Sequence, residues 1–377
     1  MAKTSSTYNI HESYDTNYQS GPSYSGSWPD LTKLNRRLEP VEFLGKWLNS
    51  TLGVPAGPLL NAAYIKLYAD LGFDVLTYKT VRTRANPCHP YPNVLAVAAQ
   101  SEVLLAGGPD KPTLVTLPDD SGPLDQLSIT NSFGMPSRAP QVWREDVGQA
   151  KSALHPGQML VVSVVGSEQE GGTLLDLAQD FAQAAEWAAE AGADAIEANL
   201  SCPNVQSAEG SLYQSAEAVG IIARNLKANL GSVPFLLKIG SLPTYEKVLA
   251  VARAAWQGGA AGIAAINTIP AQVLDRTGQQ ALPGAGRLVS GICGAAIKPA
   301  GLEMVKKLNR ARNELGLTPG EFVIVGVGGI MTGHDAQEYY QAGADGAQSG
   351  TGAMWNPGLA QEYKAVLADA RKFAYMP

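Results

Sequence analysis

The feature that most constrains the fold is a short unit that recurs from about residue 50 onward. In each copy a helical pattern ends at glycine, a short apolar run follows, and a polar or small residue closes that run. The four clearest copies read LGFDVLTYK, AGADAIEAN, GGAAGIAAIN and AGADGAQSG. Because helices alternate with short apolar strands in this pattern, it predicts an α/β fold with a parallel sheet.

Eight apolar runs have the length and composition of buried strands. They lie at roughly 53–57, 74–80, 159–165, 194–200, 234–239, 262–267, 322–327 and 345–350. Runs such as VVSVV and FLLKI are continuously apolar, as is typical of parallel strands covered on both faces. The segment from Leu174 to Ala191 repeats apolar residues at helical spacing, and Gly192 follows it as a C-cap. Eight strands with helices between most of them predict a closed (β/α)8 barrel, the TIM-barrel fold.

We divide the chain into an N-terminal arm at 1–45 and a barrel domain at 46–377. The arm is rich in Ser, Tyr, Asn and Gly, which favours a segment that becomes ordered on contact. Its aromatic residues could anchor it on a partner surface: Tyr8, Tyr14, Tyr18, Tyr24 and Trp28. The segment 81–156, between predicted strands two and three, is too long for a simple connection. We expect it to hold inserted structure that acts as a lid over the barrel mouth.

The charge balance argues against two classes of function. Among 377 residues, 28 Lys and Arg face 34 Asp and Glu, giving a net charge of −6 without any stretch dense in basic residues. Such a chain offers no electrostatic surface for nucleic acid or an anionic membrane. Its three cysteines are far apart and form no zinc or iron–sulfur ligand set, so we expect no metal. With neither an apolar leader nor a membrane span in the sequence, we expect a cytoplasmic protein.

Polar residues close several predicted strands at the end where barrel enzymes hold their active sites. Lys79, Asn199, Lys238 and Asn267 all fall at or near such ends. The glycine-rich turns GVGGI and SGTG follow strands seven and eight, where barrels bind phosphate through backbone N–H groups. The sequence therefore predicts a site for a flat, polar, negatively charged ligand together with a phosphorylated cofactor.

These motifs together resemble those of the dihydroorotate dehydrogenases. The runs NSFGMP (131–136), NLSCPN (199–204), INT (266–268), GAAIKP (294–299), GVGGI (326–330) and SGT (349–351) follow in the order and spacing of that family. The resemblance implies an FMN-dependent barrel enzyme that oxidises (S)-dihydroorotate to orotate in de novo pyrimidine biosynthesis. Within that family a cysteine at the position of Cys202 marks the soluble class, for which we expect a homodimer.

The resemblance assigns roles residue by residue. It makes Cys202, Lys79 and Lys238 catalytic. The substrate-binding residues that it implies are Lys79, Asn131, Phe133, Gly134, Met135, Asn199, Asn204, Asn267 and Thr268. The FMN-binding residues that it implies are Ala56, Gly57, Lys79, Thr80, Asn199, Lys238, Gly291, Gly328, Gly329, Gly350 and Thr351.

The implied chemistry removes a proton from C5 of the substrate and a hydride from C6, and the hydride passes to flavin N5. Cys202 is the expected base, and nearby Lys79 is expected to lower its pKa from the ordinary ~8.5 of a thiol. Lys238 is expected to stabilise negative charge on the reduced flavin. We interpret Cys88 and Cys293 as structural residues, and the run ANPCHPYPN as a Pro-rich turn.

Two alternative functions stay open at this point. The long 81–130 insertion, the arm and the loop after Asn204 depart from the family pattern, so another dihydropyrimidine or cyclic amide could be the substrate. A noncatalytic flavin-binding paralogue is the second alternative, and the presence of Cys202, Lys79 and four asparagines argues against it. Fumarate is the favoured electron acceptor, but NAD through an iron–sulfur partner, or oxygen, would meet the same reduced flavin.

Overall fold

A computed structural model describes residues 6–36, 38–105, 111–118, 122–201 and 208–374. Its strands are β1 (Val41–Phe43), β2 (Lys46–Leu48), β3 (Leu52–Val54), β4 (Val75–Val81), β5 (Val94–Ala98), β6 (Thr113–Thr116), β7 (Ser128–Asn131), β8 (Met159–Val164), β9 (Ala195–Asn199), β10 (Phe235–Ile239), β11 (Gly262–Ala265), β12 (Ile269–Leu274), β13 (Val289–Gly294), β14 (Val323–Val327) and β15 (Gly346–Gln348).

The helices cover the outside of the strands. They are α1 (Tyr14–Ser20), α2 (Leu31–Asn35), α3 (Ala62–Asp70), α4 (Ser101–Leu105), α5 (Pro140–Ser152), α6 (Leu174–Glu190), α7 (Ala216–Leu230), α8 (Tyr245–Gln257), α9 (Lys298–Glu314), α10 (Gly333–Gln341), α11 (Thr351–Trp355) and α12 (Leu359–Ala374), with short 3-10 turns at Leu124–Gln126, Ala208–Gln214 and Ala295–Ile297. Among the residues described, no helix is long and apolar enough to cross a membrane.

Eight parallel strands close into a barrel in the order β3-β4-β8-β9-β10-β11-β14-β15, and β15 pairs back with β3. They lie within or overlap the eight predicted runs, so the predicted (β/α)8 fold is confirmed. Strands β4, β8, β9 and β10 are buried along their whole length. Because helices cover the outer face while side chains fill the interior, these strands are mostly apolar, with polar residues such as Lys79, Asn199 and Lys238 at or near their C-terminal ends.

Helix α6 shows how local sequence sets the elements of the barrel. Thr173 caps its N-terminus and forms a reciprocal capping box with Asp176, which satisfies two backbone N–H groups. Its buried face carries Leu177, Phe181 and five alanines. Gly192, just beyond its end, has a φ of +112°. The small alanine side chains let the helix lie close to the strands beneath it.

One end of the barrel is closed. The antiparallel hairpin β1–β2 contributes Phe43 and Leu48 to a core cluster inside the barrel, where they pack with residues such as Met159, Leu236 and Val325. This hairpin covers the N-terminal ends of the strands. The C-terminal ends therefore form the open mouth, which is the end that carries the active site in barrel enzymes.

A second, smaller barrel stands beside this mouth. Its strands β5, β6 and β7 come from the predicted insertion, whereas β12 and β13 come from the connection after β11. The sequence did not indicate the last two strands. Strand β12 includes Pro270, and only Ala271 and Val273 are buried while its other residues are half-buried, because one of its faces is covered more fully than the other. It therefore lacks the continuous apolar run that marked the main barrel.

The arm packs on its own barrel. The backbone N–H of Thr7 donates to the carbonyl of Met354 at 3.0 Å, and Tyr8 and Tyr14 are buried. We had expected the arm's aromatic residues on a partner surface, and the structure instead buries these two within the chain. Trp28, by contrast, is 59% exposed. Aromatic rings spaced along a polar segment show that the segment has an apolar contact, but they do not indicate which surface supplies it.

Candidate active site

A cavity opens at the C-terminal ends of the main barrel strands, with about 1260 Å³ of space including its open mouth. Most of the predicted site residues line it: Ala56, Gly57, Lys79, Thr80, Asn131, Phe133, Gly134, Met135, Asn199, Lys238, Asn267, Thr268, Gly328, Gly329, Gly350 and Thr351. Gly291 lies on β13, paired in register with Asn131, and is not among the described residues of the lining. Cys202 and Asn204 lie outside the described residues.

Three asparagines line the cavity, and two of them are hydrogen-bonded to each other. The Asn267 amide donates to the side-chain oxygen of Asn199 at 3.2 Å and also bonds the carbonyl of Ser201. The Asn131 amide lies 3.3 Å from the sulfur of Cys293. Each amide carries both donors and an acceptor, so this wall can match a ligand ring whose edge alternates C=O and N–H groups.

The loop 131–135 has its backbone oriented by hydrogen bonds. The carbonyls of residues 132–134 accept hydrogen bonds from the Asn93 amide, the His89 backbone N–H and the Asn86 amide, at 3.1, 3.0 and 3.0 Å. None of these three donors is among the described residues that line the cavity. In a trans peptide the N–H points opposite to the preceding C=O. The N–H groups of residues 133–135 therefore point away from these three donors, and residues 133–135 themselves line the cavity.

The conformation of this loop supports the same conclusion. Gly134 has a φ of +74° and Met135 a φ of +51°, so two consecutive residues are left-handed. Successive N–H groups in a tight turn can form a concave nest, a recurrent anion-binding motif. The ammonium group of Lys79 lies beside it, 4.9 Å from the centre of the Phe133 ring. A negatively charged group placed here would meet a full positive charge and several N–H donors.

Lys238 lies at the bottom of the cavity beside a buried carboxylate. Its ammonium nitrogen is 3.9 Å from an oxygen of Glu197, and both side chains are almost fully buried. Burial lowers the pKa of Lys238, and the Glu197 carboxylate opposes that shift. That Glu197 oxygen has no hydrogen-bond partner among the described residues. Lys238 therefore brings a titratable ammonium group to the wall of the cavity.

The two glycine turns form a wall of bare backbone. Tyr339 donates a hydrogen bond to the carbonyl of Gly328, which fixes the direction of that peptide, and Ser349 donates to the carbonyl of Ile330 at 2.6 Å, which joins the turns. Gly350 precedes α11 and has no side chain to cap it. The Ala353 N–H donates to the Ser349 hydroxyl at 3.0 Å, and the N–H groups of Thr351 and Gly352 have no partner within the helix. A phosphate fits these donors.

The space beside these turns suits a flat cofactor. A Cβ added at Gly57 would meet no described atom within 4 Å, so the lining is open there. Lys238 and the asparagines line the same cavity as these glycines. The residues present therefore fit a flavin that carries one phosphate.

Among the cavity residues that sequence reasoning missed, three carry titratable side chains. Glu197 precedes Asn199 by two positions on β9, so the alternation of side chains along a strand could have found it. Cys293 lines the cavity although we interpreted it as structural, and burial raises the pKa of its thiol. Tyr8, from the arm, also lines the cavity. No motif or spacing marks it, because the packing of the arm on the barrel is what brings it there.

Known proteins are similar to this chain in sequence and in fold. The sequence model of the dihydroorotate dehydrogenase family matches residues 104–367. A dihydroorotate dehydrogenase of Dictyostelium discoideum is 37% identical over 366 residues, which cover 94% of this chain and 96% of that protein. A dihydroorotate dehydrogenase A (fumarate) of Limosilactobacillus reuteri (strain DSM 20016) is 32% identical over 173 residues, 46% of this chain and 52% of that protein.

The crystal structure of a DHODH from Eimeria tenella in complex with ferulenol has a TM-score of 0.70 at 18% identity. The match covers 93% of this chain and 88% of that one, and it shows the shared fold. Taken with the sequence matches, the fold and the cavity define a flavin-dependent (β/α)8 oxidoreductase that acts on a CH–CH bond. The chain belongs to the dihydroorotate dehydrogenase family.

Proposed function

We propose that this protein uses FMN to oxidise (S)-dihydroorotate to orotate, with Cys202 as the base. The observation that supports this most strongly is the loop 133–135, which lines the cavity next to Lys79. Dihydroorotate differs from dihydrouracil by one carboxylate, and this loop and lysine are the groups that a carboxylate needs.

The asparagine wall would bind the pyrimidine ring. Asn131, Asn199 and Asn267 line the cavity, and Asn204 follows in the loop that also carries Cys202. Thr268 lies beside them, with its backbone N–H bonded to the Asn267 side-chain oxygen at 2.8 Å. This bond orients the Asn267 amide so that its NH₂ group faces Asn199. A ring with alternating C=O and N–H edges would then find partners on each side.

Proton removal and charge stabilisation fall to two different residues. Cys202 would take the proton from C5 of the substrate, because the neighbouring carbonyl acidifies that position. Lys238 would bind the N1–C2=O edge of the flavin and stabilise negative charge there. When bound, the flavin supplies the redox chemistry by accepting the hydride from C6 and passing the electrons to an acceptor. Fumarate is the acceptor that we favour, in a cytoplasmic homodimer.

The identity of the cofactor tests the cavity assignment. The two glycine turns form one phosphate site, so flavin released from the purified protein by heat should be FMN, at about one per chain. Chromatography of the released flavin against FMN and FAD standards measures this. Recovery of FAD, or of a colourless protein after gentle purification, would contradict the proposal.

A further inference from the structure

The N-terminal arm closes one side of the cavity. Thr7 is held twice, by its N–H bond to Met354 and by a 2.6 Å hydrogen bond between its hydroxyl and that of Tyr68. Farther along, Asp15 pairs with Arg138 at 2.6 Å. The segment between these anchors is thus fixed on the barrel, and Tyr8 lies within it.

The buried hydroxyl group of Tyr8 lacks a hydrogen-bond partner in the part of the chain that the structure describes. The residue is 2% exposed, and its oxygen accepts or donates no hydrogen bond among the described residues. Tyr8 nevertheless lines the cavity. Leaving a buried hydroxyl unsatisfied is energetically costly, so a ligand that supplies the missing partner would gain from the contact.

The neighbours of Tyr8 indicate which part of a ligand it meets. Its ring packs edge-to-face on Phe133, with 5.8 Å between the ring centres. Phe133 belongs to the N–H nest, and its ring also faces the ammonium group of Lys79. Tyr14, the next aromatic residue of the arm, has its ring 5.9 Å from the same ammonium group. The arm therefore encloses the positively charged end of the cavity.

We propose that Tyr8 is a substrate-binding residue whose phenol donates a hydrogen bond to the substrate carboxylate, an inference that rests on the proposed function. The N-terminal arm would then form part of the active site of the same chain. Burial raises the pKa of this phenol, so it stays protonated and remains a donor throughout the neutral range. A donor to a carboxylate forms a charge-assisted bond, which is stronger than a bond between neutral groups.

The test is the binding of orotate to the full-length holoprotein, measured by calorimetry, together with the melting temperature with and without orotate. Tyr8→Phe keeps the ring on Phe133 and removes only the hydroxyl. We expect orotate to bind about 10- to 100-fold more weakly, as for the loss of a hydrogen bond to a charged group. Without orotate the melting temperature should not fall, because no bond to the described protein is lost.

The matched control is Tyr24→Phe, which removes another hydroxyl of the arm. That hydroxyl donates to the carbonyl of Ser27 at 2.6 Å and does not line the cavity. Orotate affinity should be unchanged in this variant. If Tyr8→Phe binds orotate as tightly as the parent, or melts lower without ligand while binding normally, the proposal is wrong and the proposed function stands. If the parent holoprotein itself binds no orotate, both fail.

Discussion

The sulfur atoms of Cys88 and Cys293 lie in surroundings that disfavour a thiolate. Burial raises the pKa of Cys88 to about 11, although Lys79 opposes the shift. Burial also raises the pKa of Cys293, which accepts a hydrogen bond from Asn131. Both thiols therefore stay protonated at neutral pH. Cys202, which follows β9 in the sequence, is the cysteine to which we assign proton removal.

Replacing Cys202 by alanine should separate chemistry from binding. Cys202→Ala should still bind FMN and orotate, because neither relies chiefly on the sulfur. Flavin reduction by dihydroorotate should slow by about 10²–10⁴-fold, the usual effect of losing a general base. Anaerobic stopped-flow absorbance measures the rate, and Cys88→Ala, outside the cavity, should keep the parent rate. If flavin reduction in Cys202→Ala is nearly as fast as in the parent, a group other than Cys202 must be the base.

The pH dependence of flavin reduction by dihydroorotate is a second test of Cys202 as the base. Because the thiolate is the active form of the base, reduction by the parent should speed up as pH rises and level off near the thiol pKa, ordinarily ~8.5. Cys88, with a pKa of about 11, would not produce such a plateau between about pH 6 and 10. A flat profile over that range argues against a cysteine base.

Among single residues, those within family motifs could be assigned to the cavity from sequence. Lys79, Asn199 and Lys238 close or end apolar strands, so the barrel pattern alone places them at the mouth. Tyr8 could not be placed in this way. Its position depends on hydrogen bonds of the arm to residues distant in sequence, such as that of Thr7 to Met354, which no local pattern records.

At the scale of elements, the turn after β14 is held tightly in place. Gly329 has a φ of +65°, and a Cβ there would lie 2.7 Å from the backbone nitrogen of Lys298. Backbone at that distance has to move. Gly316, at the end of α9, has a φ of +72°, but a Cβ there would meet no described atom within 4 Å. The two glycines thus share a left-handed conformation and differ in crowding.

This difference yields a paired prediction for cofactor binding. Gly329→Ala and Gly316→Ala should both cost about 1 kcal/mol of stability from the left-handed backbone. Only Gly329→Ala should also displace the turn and weaken FMN binding, by at least ~10-fold. Fluorescence titration of flavin-free protein with FMN measures the affinity. Equal FMN affinity in the two variants would mean that the turn does not bind the phosphate.

The strands of the main barrel were predictable because burial on both faces gives each of them a nearly continuous apolar run in the sequence. The smaller barrel was not, since its strands come from two distant segments and β12 is buried only at Ala271 and Val273, with half-buried residues between and around them. The insertion at 81–156 was expected as a lid. Within the described residues it supplies three strands of the smaller barrel, and β7 leads directly into the N–H nest.

At the scale of the whole molecule, the cavity is assembled from three parts of the chain. The main barrel contributes the lysines, the asparagines of β9 and the INT run, and the glycine turns; the smaller barrel contributes Asn131 and Cys293; and the arm contributes Tyr8. A carboxylate at this site would be enclosed by all three parts. Discrimination between substrates with and without the carboxylate should therefore depend on all three parts of the chain together.

The most direct test is an anaerobic titration of the purified holoprotein with dihydroorotate, dihydrouracil and NADH in parallel, following flavin absorbance. Dihydroorotate should bleach the flavin, because its carboxylate would meet Lys79 and the nest at 133–135. About one equivalent per chain should complete the bleaching. Dihydrouracil, which lacks that group, and NADH should bleach it far more slowly. Bleaching by dihydrouracil as fast as by dihydroorotate would contradict the account, since the N–H nest and Lys79 would then have no part in choosing the substrate.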